Sequence, residues 1–145
     1  KRIILDKNLE ISSNSYIFKS IKRNNTIIFH DSTNYKKIKI LKIKGVNLIK
    51  LRLNRNKLFD LKIILKKLFA YGVRNLLVEG GDKLTKNLIK NKLVNKFYLF
   101  QSPKILKKGS MHQNFTSSKI LNKNYNNKFR ITSKLAKDNI TIYKR

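Results

Sequence analysis

Short β-branched apolar runs alternate along this chain with segments whose apolar residues recur every three or four positions. Arg2 to Leu5 (RIIL) is apolar and β-branched, and Asp6 with Asn8 ends it, so a strand is expected there. Thr26 to His30 (TIIFH) predicts a second, short buried strand, bounded by Asn24-Asn25 and Asp31-Ser32. From Thr33 to Lys44 the residues Tyr35, Ile38, Leu41 and Lys42 fall at helical spacing, with Gly45 as the stop. Val46 to Leu51 (VNLIKL) is a third strand. Phe59 to Tyr71 is the clearest helix: Leu61, Ile64, Leu65, Leu68 and Phe69 form one stripe, Asp60 stands where the helix dipole favours a carboxylate, and Gly72 closes the segment. Val73 to Val78 (VRNLLV) follows as a strand, then Glu79-Gly80-Gly81, then an amphipathic helix from Asp82 to Lys92 with Leu84, Leu88 and Ile89 inward. Phe97 to Phe100 (FYLF) resumes as strand before Pro103. Phe129 to Thr132 and Ile140 to Tyr143 form a terminal antiparallel pair, and the Asn- and Lys-rich stretch from Asn122 to Lys128 reads as a solvated loop.

Strands that alternate with helices and finish as strands alone predict an α/β sandwich with a mostly parallel sheet and an antiparallel edge. The 145 residues make one domain, and 41% hydrophobic content fills the core of a chain that hides roughly 70% of its unfolded surface. No repeat or Pro/Gly/Ser linker interrupts it. The chain opens at Lys1 and runs at once into Ile3-Ile4-Leu5, the pattern of an excerpted domain.

Charge raises a rival from another class. The chain carries 35 Lys+Arg against 7 Asp+Glu, a net +28, and such an excess is the electrostatic footprint of a basic nucleic-acid-binding module. The lysines, however, occur in every segment instead of on one face, and their abundance beside Asn and Ile is what A/T-rich coding produces in an ordinary enzyme. No aromatic RNA-binding motif, zinc finger or heptad-backed basic region accompanies them, so no specific nucleic-acid partner is expected. The lack of cysteine excludes a disulfide framework, a thiolate zinc site and a cysteine nucleophile, and fits a reducing, cytoplasmic address. His30 and His112 have no second ligand nearby in sequence and read as surface or satisfied histidines, so no metal is expected. No apolar run approaches the ~18 residues needed to cross a bilayer, and the N-terminus lacks a signal peptide's pattern.

The chemistry concentrates at Val78-Glu79-Gly80-Gly81-Asp82, beyond the carboxyl end of an expected strand, where open α/β sheets place ligands. Two glycines permit a backbone path closed to other residues and let a ligand approach the main chain. The helix beginning near Asp82 offers unpaired N–H groups and a positive dipole end to a phosphate. The same residues are equally those of a tight strand-to-helix turn, with Glu79 and Asp82 as capping charges. Neither G-x-G-x-x-G nor G-x-x-x-x-G-K-[ST] is present. The pairs Lys66-Lys67 and Lys107-Lys108 read as solvated faces, with a cofactor's 2′-phosphate as the alternative.

Residues 75 to 106, NLLVEGGDKLTKNLIKNKLVNKFYLFQSPKIL, resemble the C-terminal reductase domain of the bifunctional riboflavin-biosynthesis deaminase/reductase. That domain has an apolar strand ending in Val-Glu-Gly-Gly, a helix, Leu-Val-Asp-Glu, a strand and a Pro-Lys-Leu-Leu-Gly turn. KRIILD, Lys1 to Asp6, is similar to its strand Arg-(Val/Ile)-Val-(Leu/Ile)-Asp. The resemblance implies a dihydrofolate-reductase-like three-layer α/β sandwich, with a mostly parallel mixed sheet and antiparallel C-terminal strands. It further implies a homodimer, NADPH as cofactor, and reduction of 5-amino-6-(5-phosphoribosylamino)uracil to its ribitylamino product. A pteridine or dihydrofolate-type reductase of the same fold is the alternative. By position, Glu79 matches a substrate-contacting residue, and Gly80, Gly81, Asp82, Lys83, Leu84, Thr85, Lys86 and Asn87 match the turn and helix start that hold NADPH. Lys7 falls at a further cofactor-contacting position, where the family often has Ser. Asn95 stands where the family usually has Asp, and Lys107-Lys108-Gly109 displaces its glycine. The family's N-terminal portion, with most substrate contacts, has no counterpart, so residues 1–145 are expected to be a single reductase-like domain lacking its N-terminal part. The zinc deaminase half requires H-x-E and P-C-x-x-C, which this chain does not contain.

Overall fold

All five residues of Thr26–His30 are buried, a condition that a strand meets when it is paired along both edges and covered on both faces. The computed structural model, which describes residues 1–22, 25–103, 115–132 and 138–145, places this segment at the centre of a parallel sheet. The chain divides into two compact units, Lys1–Val73 and Arg74–Arg145. In the first unit β1 (Arg2–Leu5), β2 (Thr26–His30) and β3 (Asn47–Lys50) lie side by side in chain order, with α1 (Tyr16–Lys19), α2 (Tyr35–Ile43) and α3 (Leu61–Ala70) following the strands. Register puts Ile4, Ile28 and Leu48 in one row across the sheet. Leu9, Phe18 of α1, Leu41 of α2 and Val46 complete the core on that face. The ammonium groups of Lys37 and Lys44 lie 5.5 and 4.5 Å from the Phe18 ring centroid, within cation–π reach, and Lys37 Nζ also donates to the Ile11 carbonyl at 2.6 Å.

The helix limits follow from local chemistry. Ser15 caps α1 by accepting from Phe18 N–H, Asn34 caps α2 by accepting from Lys37 N–H, and Asp60 caps α3 by accepting from the amides of Lys62 and Ile63. At the other end, α2 and α3 close in left-handed glycines, Gly45 (φ 83°) and Gly72 (φ 81°), with the amides of Val46 and Val73 returning to Leu41 and Leu68.

The second unit holds α4 (Asp82–Lys90), β4 (Lys96–Gln101), α5 (Ser118–Asn124), β5 (Asn127–Thr132) and β6 (Asn139–Lys144). Its sheet is antiparallel in the order β4-β6-β5. Ile89 of α4, Leu121 of α5, Tyr125 and Tyr143 form its core, against which Phe97, Leu99 and Phe115 pack. The Tyr125 hydroxyl donates to the carbonyl of Val94 at 2.9 Å. Strand alternation turns Tyr98, Phe100, Phe129 and Ile131 to the opposite face, where all four are exposed.

The architecture is α/β, and its parallel and antiparallel strands form two three-stranded sheets, one in each unit. Three local expectations are corrected. Val73 to Val78 is not a strand: residues 73–81 run outside any helix or strand, and Leu77 is 83% exposed. The apolar pattern is there, but a strand also requires a neighbour, and none pairs with this segment among the described residues. The stretch from Asn122 to Lys128 is a loop only at 125–126, since α5 runs to Asn124 and β5 starts at Asn127. Phe69 lies at the solvent edge of the α3 stripe, 61% exposed. No helix among the described residues is long and apolar enough to cross a membrane.

Two substitutions test this packing. Leu41→Ala empties a fully buried site and is expected to lower the free energy of unfolding by about 2–5 kcal/mol in urea titration. Helix α4 ends with Lys92 at φ 54°, in the position that glycine fills after α2 and α3. Lys92→Gly should therefore stabilise the chain by a few tenths to about 1 kcal/mol; a loss of stability would show that the lysine side chain outweighs its backbone strain.

Candidate functional site

Helix α4 begins without a side-chain cap, because its N-cap residue is Gly81. The amides of Leu84 and Thr85 turn back to the Gly81 carbonyl. Those of Asp82 and Lys83 then face outward at the positive end of the helix dipole. Glu79 and Gly80 precede this start and are exposed, as are Lys83 and Lys86, while Leu84, Thr85 and Asn87 are half-buried. Two ammonium groups and outward amides at a helix start make a surface that accepts a phosphate oxygen.

The glycines act differently from the expectation. Gly81 has φ −69° and ψ 170°, an extended conformation open to any residue, and Gly80 is not left-handed either. What Gly80 provides is space: a Cβ there would lie 2.9 Å from Cδ2 of Leu84. Its lack of a side chain lets the turn pack directly against Leu84 in the first turn of α4.

Asp82 is tied inside the protein. Its carboxylate accepts from the Thr116 hydroxyl at 2.7 Å, the Thr116 amide at 3.2 Å and the Ser117 hydroxyl at 3.4 Å. One carboxylate thus joins the start of α4 to the start of α5. The Thr116 hydroxyl, ahead of partial desolvation acting the other way, holds the Asp82 pKa below the ordinary aspartate value; the Thr116 amide, Ser117 and the charge of Lys86 add to the lowering. Asn87 sits more than a turn into the helix, and its side-chain oxygen accepts from Asn91 Nδ2 at 2.6 Å.

The structure therefore brings residues 79 to 86 together at one helix start, with Asn87 behind them. Lys7 belongs to the first unit, exposed just beyond β1, where its carbonyl accepts from the Asp31 amide at 2.9 Å. Lys66 and Lys67 are exposed on α3. Lys107-Lys108-Gly109 and His112 lie outside the described residues. Among the described residues no group of three or more His, Asp or Glu side chains is placed to hold a metal ion.

His30 differs from its expected role. It closes β2 with only 4% of its surface exposed, and its Nδ1 has no hydrogen-bond partner. Burial lowers its pKa, with the charge of Lys50 assisting, against the Ser32 backbone, Asp31 and Asp6, which raise it. The only sequence signal was a histidine ending an apolar strand, which does not distinguish a surface position from a buried one.

Comparison with known proteins places these features in a family context. Residues 1–141 match the family model of the RibD C-terminal domain. Riboflavin biosynthesis protein RibD of Aquifex aeolicus is 35% identical over 108 residues, covering 74% of this chain and 28% of that protein. Riboflavin biosynthesis protein RibD of Actinobacillus pleuropneumoniae is 29% identical over 105 residues, covering 72% of this chain and again 28% of the relative. The chain therefore spans little more than a quarter of the length of these relatives. Among solved structures, a pyrimidine reductase-like protein from Corynebacterium diphtheriae aligns with a TM-score of 0.69 at 16% identity, over 98% of this chain and 59% of the other. RibD of Acinetobacter baumannii aligns with a TM-score of 0.68 at 15% identity, over 99% and 37%. At these identities the likeness is one of fold.

The Asp82 tie yields a pH prediction. A carboxylate whose pKa is lower in the folded state stabilises the fold above its unfolded-state value, and the contribution is lost as pH falls through the folded value. Asp82→Asn should lower the melting temperature at neutral pH, and the gap from the parent chain should close as pH drops below about 4. A gap that stays constant across that range would remove the ionised carboxylate from the explanation.

Proposed function

This chain belongs to the RibD C-terminal domain family, and from that membership we propose that it is the reductase of riboflavin biosynthesis that acts on 5-amino-6-(5-phosphoribosylamino)uracil with NADPH. The observation that carries the proposal is the match along residues 1–141, in which Glu79-Gly80-Gly81 stands directly before an uncapped helix start. The residues there suit a dinucleotide phosphate: Gly81 leaves the helix start without a side-chain cap, so the amides of Asp82 and Lys83 are open to it, and Lys83 and Lys86 supply positive charge. Leu84, Thr85 and Asn87 back this surface from the helix. Bound NADPH supplies the hydride for reduction of the ribosyl carbon. The protein's part is position and field. Glu79 sets a carboxylate at the edge of the turn, where it favours a cationic form of the sugar's reacting carbon and accepts hydrogen bonds from the substrate.

The same reading carries a cytoplasmic address and a homodimer. The dimer is supported by the outer face of the antiparallel sheet, where Phe100 and Phe129 are 65% and 56% exposed and form one apolar surface with Tyr98 and Ile131.

Fluorescence titration at moderate salt is expected to show saturable binding that prefers NADPH to NADH. Gly81→Val, at a position whose backbone tolerates valine, should weaken NADPH by at least about tenfold without lowering the melting temperature; unchanged affinity would remove the turn from the cofactor site. Sedimentation should give a dimer that Phe100→Asp converts to a monomer, and a monomeric parent chain would overturn the dimer.

A further inference from the structure

Helices α1 and α2 lie against one face of the first sheet. Phe18 of α1 and Leu41 of α2 point into the same core, and the ammonium groups of Lys37 and Lys44 beside the Phe18 ring set the two helices next to each other. We propose that the outer surface of this helix pair docks on an anionic lipid bilayer, held by lysines and by a few apolar side chains that enter the interface. The face lies in the first unit alone and does not rest on the reductase reading.

Helical geometry decides what that surface presents. With Leu41 turned inward, a period of 3.6 residues puts Lys36, Lys39 and Ile43 on the far side of α2, with Tyr35 and Ile40 on its flanks. All five are exposed, Tyr35 by 81% and Ile43 by 77%. With Phe18 turned inward, α1 likewise exposes Tyr16, Ile17 and Lys19, and Tyr16 is 81% exposed. An isolated apolar residue on a surface is ordinary. Here Tyr16, Ile17, Tyr35, Ile40 and Ile43 gather on two neighbouring helices, with lysines set among them.

The charge around them has one sign. Every charged residue from Ile11 to Phe59 other than Asp31 is a Lys or an Arg. Asp31 stands just past the end of β2, half-buried, where its carboxylate accepts from the Leu53 amide at 3.2 Å. No acid on either helix opposes an incoming anion. The same lysines disfavour a second copy of the chain as occupant, since pairing this face with itself would set like charges against one another.

The apolar residues decide between kinds of anion. Single-stranded nucleic acid is held by aromatic rings on which bases stack. Ile17, Ile40 and Ile43 offer no such platform, but they gain by entering the boundary between headgroups and acyl chains. Tyrosine suits the headgroup level, and lysine stems lie along apolar surface while their ammonium groups reach lipid phosphates. No helix among the described residues is long and apolar enough to cross a membrane, so the contact is one of the interface.

The test is co-sedimentation of the 145-residue chain with vesicles of phosphatidylcholine alone or of phosphatidylcholine and phosphatidylglycerol in equal parts. At about 0.1 M salt the chain should sediment with the mixed vesicles and stay in solution with phosphatidylcholine alone, and about 1 M salt should release it. Lys36→Gln/Lys39→Gln should weaken partitioning by about tenfold. Ile40→Ser/Ile43→Ser leaves the charge unchanged and should weaken it by about threefold or more. All four side chains are exposed, so the melting temperature should stay in place. Lys119→Gln/Lys123→Gln removes the same charge from α5 and should leave partitioning as it was. Equal binding to both kinds of vesicle, undiminished binding by the isoleucine variant, or an equal loss in the α5 variant would each overturn the proposal. A chain that ignores the mixed vesicles but binds polyuridylate, and loses it in Lys36→Gln/Lys39→Gln, would make the face a nucleic-acid surface and overturn it as well.

Discussion

Backbone pairing on both edges of β2 is the constraint around which the first unit is arranged. In a parallel sheet such a central strand is covered on both faces as well, because the crossover segments that join the strands lie across those faces. Ile27, Ile28 and Phe29 satisfy that demand in the middle of the strand. The demand does not stop where the apolar residues do. Thr26 and His30 are drawn into the same buried row, and the polar groups they carry must then be satisfied locally. Thr26 manages this through Asn25, to whose side-chain oxygen its hydroxyl donates at 2.7 Å. His30 has no such neighbour for Nδ1.

The second unit solves a different problem. Its antiparallel sheet needs only one face covered, and α4 and α5 supply that cover through Ile89, Leu121 and Tyr125. Two short helices hold their relative position poorly by apolar contact alone, because such contact has little directionality. The carboxylate of Asp82 adds direction: it accepts from the Thr116 amide and from hydroxyls of both Thr116 and Ser117. An acid at the start of a helix would otherwise oppose an incoming phosphate. Here its charge is already shared among three donors, which leaves Lys83 and Lys86 to set the sign of the surface beside the turn.

Most of the elements were legible because their signals are local. Asp60 and Gly72 around α3, and Gly45 after α2, act within one turn of chain, and β-branched runs such as RIIL and TIIFH announce strands wherever they fall. The candidate turn was legible for the same reason, as a string of five residues between an apolar run and an amphipathic segment. What could not be read depends on distant partners. Val73 to Val78 has a strand's composition, yet pairing is a property of two segments. The role of Asp82 is set by residues 34 and 35 positions away. The burial of His30 depends on its place in the central strand, and α5 was hidden by its lysines and asparagines, since only Ile120, Leu121 and Tyr125 betray its apolar side. The basic composition, a possible sign of nucleic acid, is spread over both units and every helix and strand except the buried β2.

That spread of charge bears on the segment at residues 76–78. Leu76, Leu77 and Val78 are all exposed, bracketed by Arg74 and Glu79, and an apolar triplet on open display is the kind of sequence through which copies of a chain stick together. A net charge of +28 on 145 residues opposes such encounters by mutual repulsion. The range of that repulsion shrinks from about 10 Å at 0.1 M salt to about 3 Å at 1 M. Colloidal stability in this protein is thus ionic in origin: dilute buffer keeps the molecules apart, and concentrated salt exposes each to the adhesive surface of the next.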